Sequence, residues 1–465
     1  MKKQLLSLAA LSLLVMSAAA KQLTDEQLIS LSQADAGKER VFAPDKNNTK
    51  DIDVAGYSNP AEFNVRRGAP NFLRKCAEGR DVKVSFIGGS ITNGPYQHRN
   101  QVANYLASMY PNVKMTGINA GIGGSGADLG AARLAKDLLK YDPDLLFIEY
   151  AVNGSDEKGV EGIIRQAIKH NPEIDICLTY TLSRGQAEQY GAGEVPANIK
   201  KLDKVAAHYN IPSVHMGLWA GELQRDGKLV WASKKPVAGK IVFSGDGVHP
   251  KTEGGNLYGA AVARAFEAMN RMPKSSKPVK MELGKKLSPD AYDRGQYISP
   301  VELAKGKKGW SSVRYIDAYK DPKYADWFEN VTTGDKNSEP IEFKFEGNLL
   351  GLYDITGPDG CGIDIYLNGK KLVATETRTN GKVIKSAIVD GDDPRISTCR
   401  FNEFCGGLNP RPQYVIFKLP QAMYDVKICV SPEKLDKLKL LKDEKRTSLS
   451  KEYDPQLAHL CWIVL

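Results

Sequence analysis

Four short stretches carry side chains that could do chemistry. Phe86-Ile87-Gly88-Gly89-Ser90-Ile91-Thr92 ends an apolar run in two glycines and a serine. A buried strand with that ending presents the Ser90 hydroxyl at its carboxyl end, on a sharp turn into a helix. There the hydroxyl can serve as a nucleophile and the Ser90 backbone N–H as an oxyanion donor; a turn with a capping serine would have the same letters. Asp246-Gly247-Val248-His249-Pro250 sets an Asp three residues before one of only six His in the chain. That spacing lets the Asp246 carboxylate hold Nδ1–H of His249 while Nε2 faces a serine as general base. No His/Cys cluster supplies a third ligand, so neither a metal nor another cofactor is expected. Tyr150-Ala151-Val152-Asn153-Gly154 follows another apolar run, where the Asn153 amide is either a further oxyanion donor or the partner of its own turn. Asn119-Ala120-Gly121-Ile122-Gly123-Gly124-Ser125-Gly126 offers backbone amides that a ligand can approach closely. Gly121, Gly123 and Gly126 also spell G-x-G-x-x-G, with Glu149 ending the next strand, which is the pattern of a dinucleotide site.

The elements that must position these residues alternate in type. Val82–Ile87, Val113–Ile118, Asp144–Tyr150, Ile174–Thr181 and Ile211–His215 read as strands, and Asn100–Met109, Leu129–Leu139, Gly159–His170, Asn198–Tyr209 and Lys251–Met269 as helices. Such alternation predicts a parallel sheet covered on both faces, with chemistry at the carboxyl ends of its strands. Met272-Pro273-Lys274-Ser275-Ser276-Lys277-Pro278 has the composition of a hinge. Beyond it, the runs Ile341–Phe345, Leu349–Ile355, Gly362–Leu367, Lys371–Thr377, Tyr414–Leu419 and Tyr424–Val430 are strand-like, and turns such as Asn368-Gly369 and Asn380-Gly381 suggest the hairpins of an all-β sandwich. The expected organisation is a signal peptide over 1–20, an irregular lead-in over 21–79, a catalytic α/β domain over 80–272, a β-sandwich domain over 273–432 and a charged helical tail over 433–465.

A serine after the first strand, a glycine after the second, an asparagine after the third and D-x-x-H before the last helix resemble the SGNH/GDSL hydrolase family, over roughly residues 80 to 270. Gly89 stands where the family has the Asp of G-D-S-L, and Gly154 where G-x-N-D has its Asp. The resemblance implies a flavodoxin-like three-layer fold and a serine esterase. In that reading Ser90 is the nucleophile, His249 the base and Asp246 its orienting acid. The Ser90 and Gly124 amides and the Asn153 side chain form the oxyanion hole. A dinucleotide site would leave the serine and histidine without a role. An acyltransferase, a lipid esterase or lysophospholipase on the same residues, and a non-catalytic secreted glycan-binding protein, remain open alternatives.

Composition narrows the substrate. The 465 residues are 42% hydrophobic and 26% charged, with a net charge of +9. The lysines are scattered among acids and apolar residues, the mark of solvated faces, so no nucleic-acid partner is expected. Lys2-Lys3, the apolar stretch Leu5–Met16 and Ser17-Ala18-Ala19-Ala20 follow the plan of a secretory signal peptide, which places the mature chain in the periplasm or outside the cell. Seven Cys are too few for a disulfide scaffold, although Cys399 and Cys405 are spaced for a local bridge. Export, an added β domain and the absence of an evident apolar lid favour small acyl esters, O-acetyl above all, on a carbohydrate. Tyr96, Tyr150, Tyr180, Trp219 and Trp231 are candidates for stacking on sugars, with core packing as the alternative.

Overall fold

The computed structural model describes residues 40–379, 382–389, 398–407, 410–443 and 445–465. The signal-peptide segment and the Asn380-Gly381 turn lie outside them. The chain enters through β1 (Val41–Phe42), β2 (Phe63–Asn64) and α1 (Pro70–Ala77) before reaching β3 (Val82–Gly88), buried at every position but Lys83. There follow α2 (Ser90–Asn93), α3 (Asn100–Met109), β4 (Met115–Gly121), α4 (Ala127–Asp137), β5 (Leu145–Glu149), α5 (Glu157–His170) and β6 (Asp175–Thr179). Then come α6 (Arg184–Gly191), α7 (Ala197–His208), β7 (Ser213–Val214), α8 (Leu218–Arg225), β8 (Leu229–Ala232), β9 (Ile241–Ser244) and α9 (Thr252–Asn270). The main sheet has the order β1-β4-β3-β5-β6-β7-β2. Its five inner strands are parallel, and β1 and β2 are antiparallel edges. β5 is buried at every position, as a strand covered by helices on both faces must be. The chain order reverses at β3, which has β4 on one side and β5 on the other. That is the switch point of a flavodoxin-like sheet, where a crevice opens beyond the strand ends.

The second region contains β10 (Tyr297–Ile298), α10 (Pro300–Ala304), β11 (Ser311–Arg314), α11 (Tyr315–Tyr319), β12 (Asn330–Gly334), β13 (Ile341–Thr356), β14 (Gly362–Leu367) and β15 (Lys370–Lys371). It continues with β16 (Val373–Thr379), β17 (Lys382–Val389), β18 (Thr398–Cys399), β19 (Arg411–Val430), α12 (Lys437–Leu441), β20 (Ala458–Leu460) and β21 (Trp462–Val464). A larger antiparallel sheet runs β10-β21-β13-β19-β14-β15, and a smaller one β11-β12-β20. In the larger sheet the twofold alternation of strands sorts residues to two interiors. Leu350, Leu352, Val415, Phe417 and Ile463 face the core of the β domain. Leu349, Tyr353, Ile355, Ile416, Trp462 and Val464 belong to the core of the α/β layer. The sheet is therefore buried on both sides and welded to the first domain. At about 25 cal/mol per Å² of apolar surface, each such aliphatic side chain contributes about 1.5–3 kcal/mol.

The structure departs from the sequence expectations in four places. The lead-in is not irregular throughout, because its described part supplies both edge strands of the main sheet and α1, whose Phe72 amide is held by Asp175 Oδ2 at 2.8 Å. The tail is not a charged helix followed by a loose apolar end. Among its described residues only Lys437–Leu441 is α-helical, closed by Lys442 in the left-handed region, and β20 and β21 enter the smaller and the larger antiparallel sheet. Lys437 is buried, and its Nζ donates to the carbonyls of Pro358, Tyr453 and Pro455 at 2.8, 2.8 and 2.6 Å, so it folds the tail back. Third, Cys399 and Cys405 do not bridge: the Cys399 thiol points to the Phe401 carbonyl at 3.0 Å, while Cys405 is buried against Thr356 and Asn402. Residues 279–293 do not leave the α/β layer either. Val279 donates to Asn71 Oδ1 (2.8 Å), and the Leu287 and Ser288 amides to the fully buried Glu161 (2.6 and 2.8 Å). No helix among the described residues is long and apolar enough to cross a membrane.

Candidate active site

Ser90 opens α2 directly after β3, half-buried at the switch point. As the first helical residue its N–H has no acceptor within the helix. Its Oγ lies 2.7 Å from Nε2 of His249, and Nδ1 of His249 lies 2.6 Å from Oδ2 of Asp246. The loop between β9 and α9 holds this pair rigidly. Oδ1 of Asp246 accepts from the amides of Val248 (2.9 Å) and His249 (2.8 Å) and from Ser244 Oγ (3.0 Å). Ser244 Oγ in turn accepts from the Gly247 amide, and the Gly247 carbonyl from Trp231 Nε1 at 3.0 Å. Burial pushes the Asp246 carboxyl up, but the hydrogen bonds from the His249 ring and from the His249 and Val248 amides outweigh it and hold the group well below the usual carboxylate range. Asp246 is thus an anion fixed against imidazole, an arrangement that selects the tautomer with Nε2 open to a hydroxyl proton.

Asn153 and the neighbour of Gly124 come to the same place. Asn153, buried in the turn after β5, lies against Gly89: a methyl group on Gly89 would stand 2.5 Å from Asn153 Oδ1. The glycine found where the G-D-S-L motif has Asp therefore leaves room for the Asn153 amide beside the Ser90 turn. Gly123 follows β4, and a methyl group on it would come within 3.8 Å of Ser90 Cβ. Gly124 next to it is exposed and takes φ +74°, a left-handed conformation that costs a side-chain-bearing residue about 1–2 kcal/mol. The turn is one that glycine adopts without strain.

Other supports carried weaker signals or none. Glu149 is 1% exposed and accepts from Thr92 Oγ1 (2.9 Å) and Thr181 Oγ1 (2.5 Å), with a further backbone bond from Gly89. It pins the ends of β3 and β6 around the serine turn, so it is no ribose partner and the dinucleotide reading fails. Burial raises its carboxyl above the ordinary range, although the two threonines, the Gly89 amide and the nearby His249 act the other way. The signal was an acid closing an otherwise apolar strand. Tyr414 of β19 reaches the glycine loop, taking the Gly126 amide at 3.0 Å. Of the aromatic candidates, Tyr150, Tyr180 and Trp231 are core residues and Trp219 stacks on Tyr57 at 5.1 Å. Tyr96, 37% exposed and six residues after Ser90, is the one left open to solvent.

Comparison with known proteins bears on this arrangement. Residues 86–256 match the GDSL-like Lipase/Acylhydrolase family. No curated protein matches the chain. Among solved structures, a two-domain esterase active on acetylated mannans, co-crystallized with mannopentaose, is similar in fold at 17% identity and TM-score 0.57, covering 87% of this chain and 95% of its own. A second structure of such an esterase gives 15% identity, TM-score 0.57, and 86% and 95% coverage. An acetylxylan esterase from Geobacillus stearothermophilus aligns at 20% identity and TM-score 0.30, over 43% of this chain and 99% of its own. The family match covers the strand end bearing Ser90 and the loop bearing Asp246 and His249, and it makes residues 86–256 a GDSL-like lipase/acylhydrolase domain and the chain a carboxylic ester hydrolase.

Proposed function

We propose that the chain is an exported serine esterase that removes small acyl groups, O-acetyl above all, from a carbohydrate. The observation that carries the reading is the unbroken chain Asp246–His249–Ser90, with links of 2.6 and 2.7 Å, at the switch point of the sheet. Ser90 Oγ attacks the ester carbonyl carbon as its proton passes to Nε2 of His249. Asp246 holds the imidazolium that forms, as its depressed carboxyl requires. The oxyanion is received by the amides of Ser90 and Gly124 and by the Asn153 side chain. The intermediate then collapses, the C–O bond to the alcohol breaks and the alcohol leaves with the His249 proton. Water, deprotonated by His249, attacks the acyl-serine, releases the acid and restores Ser90.

Three further features support an acetylated glycan as substrate. The N-terminal sequence has the plan of a signal peptide, the two-domain structures of similar fold are esterases active on acetylated mannans, and Tyr96 offers an exposed ring near the serine turn. Hydrolysis of p-nitrophenyl acetate, butyrate and octanoate, with Ser90→Ala alongside, tests the reading. Acetate turnover abolished by the substitution is the expected result. Preference for octanoate would overturn the small-acyl assignment, and equal rates in both proteins would overturn the role of Ser90.

A further inference from the structure

The glycine loop is held on two sides. Ser125 closes the inner side, its Oγ donating to the Ile122 carbonyl at 2.8 Å. On the outer side the partner comes from the antiparallel sheet. The Tyr414 hydroxyl accepts from the Gly126 amide at 3.0 Å and donates to the Gly124 carbonyl at 3.4 Å, spanning the residue between them. Burial drives the Tyr414 phenol far up, so it keeps the proton it donates. Four residues along β19, Lys418 Nζ pairs with Asp156 Oδ2 at 2.6 Å. Asp156 caps α5 three residues after Asn153, its other oxygen accepting from the Lys158 amide. Positions i and i+4 of a strand share one face and lie about 13 Å apart. Ile416, between them on that face, packs into the core of the α/β layer.

We infer that β19 braces the oxyanion hole from the second domain, with Tyr414 positioning the Gly124 loop and Lys418 the Asn153 loop. The inference rests on the proposed roles of Gly124 and Asn153. The two residues lie in loops from different strands, and β19 is one rigid element that touches both loops. Neither Tyr414 nor Lys418 needs to contact substrate. Their effect belongs to the tetrahedral state, where charge sits on the carbonyl oxygen.

The test uses the full chain with Tyr414→Phe and Lys418→Met, which remove the polar atoms and keep most of the packing. Turnover of p-nitrophenyl acetate and the affinity for phenylboronic acid, which becomes tetrahedral on bonding Ser90 Oγ, are measured with the melting temperature. Tyr414→Phe is expected to lower kcat about 10-fold, less than the 10²–10³ for deleting a donor outright, with KM within about twofold. Boronate binding should weaken in proportion, and Lys418→Met should lower kcat about threefold, each with a melting temperature within about 2 °C of the parent. Unchanged kcat in both variants, or a loss that tracks a fallen melting temperature in both, would overturn the brace. Ser90→Ala separates the two levels. If it is inactive while both β19 variants behave as the parent, the brace alone fails; if it retains activity, the reading of the site fails with it.

Discussion

Ser90 and Gly124 follow neighbouring strands of one sheet, yet they are held by different means. The serine turn is anchored from below by Glu149, whose carboxylate ties it to the ends of β3 and β6 inside the α/β layer. The glycine loop, on the far side of the switch point, borrows a hydroxyl from a strand nearly 290 residues later in the chain. The contrast teaches that the proposed nucleophile is held within the first domain, whereas the loop of Gly124, proposed to stabilise charge, also leans on the second. A defect in the second domain should then damage turnover without removing the reactive serine.

The sharpest way to break that contrast is at the nucleophile. Ser90→Ala or His249→Ala should each lower kcat on p-nitrophenyl acetate by about 10⁴-fold or more while the melting temperature stays near the parent value. Gly89→Ala comes next. The added methyl group must displace the Asn153 amide, so a loss of about 10²-fold in kcat is expected, and Asn153→Ala should then add little on top. Activity unaffected by Gly89→Ala would mean Asn153 contributes nothing to the oxyanion.

Docking itself is probed by Trp462→Ala. Trp462 is 6% exposed, stacks on Tyr297 at 5.3 Å, lies under Lys136 Nζ at 4.0 Å and donates to the Trp327 carbonyl. Its removal should cost about 3–5 kcal/mol in urea unfolding and lower kcat through the glycine loop. A cost below about 1 kcal/mol would show that the sheet is not welded to the first domain. The smallest effect concerns Asp175 at the start of β6, which burial pushes up to about 7 from an ordinary 3.8. The folded chain then binds a proton more tightly than the unfolded one. Stability from this group is fully present below about pH 4 and is lost as pH rises through about 7. Asp175→Asn should flatten the stability profile over that window, measured as urea midpoints from pH 4 to 8, and leave the glycine loop untouched.

Much of the first domain was legible in the sequence because its strands end in residues that side-chain packing does not require. Two glycines and a serine, or an asparagine before a glycine, stand out after runs such as Leu145–Ile148. The second domain was harder for a physical reason. β21 reads Trp462-Ile463-Val464, apolar at every position, because both of its faces are buried, and the period-2 alternation that marks a strand is erased there. β13 shows the same loss over Leu349–Ile355, and its bulge between Gly347 and Leu349 made one long strand read as two. Tyr414 gave no signal at all. One tyrosine among 20 becomes part of a site only through long-range pairing of sheets, which no local pattern encodes.

The place of β21 in its sheet also bears on how the molecule is made. It lies between β10 and β13, pairing Val464 with both Tyr297 and Gly351. During synthesis those two partners emerge long before it. Until it arrives the growing chain carries a first domain whose core lacks Trp462 and Val464, with β10 unpartnered and the edge of β13 unpaired, a template for pairing with another copy. A delay in adding these few residues would be a window for aggregation, and a chaperone that shields the edge of β13 would act at that moment.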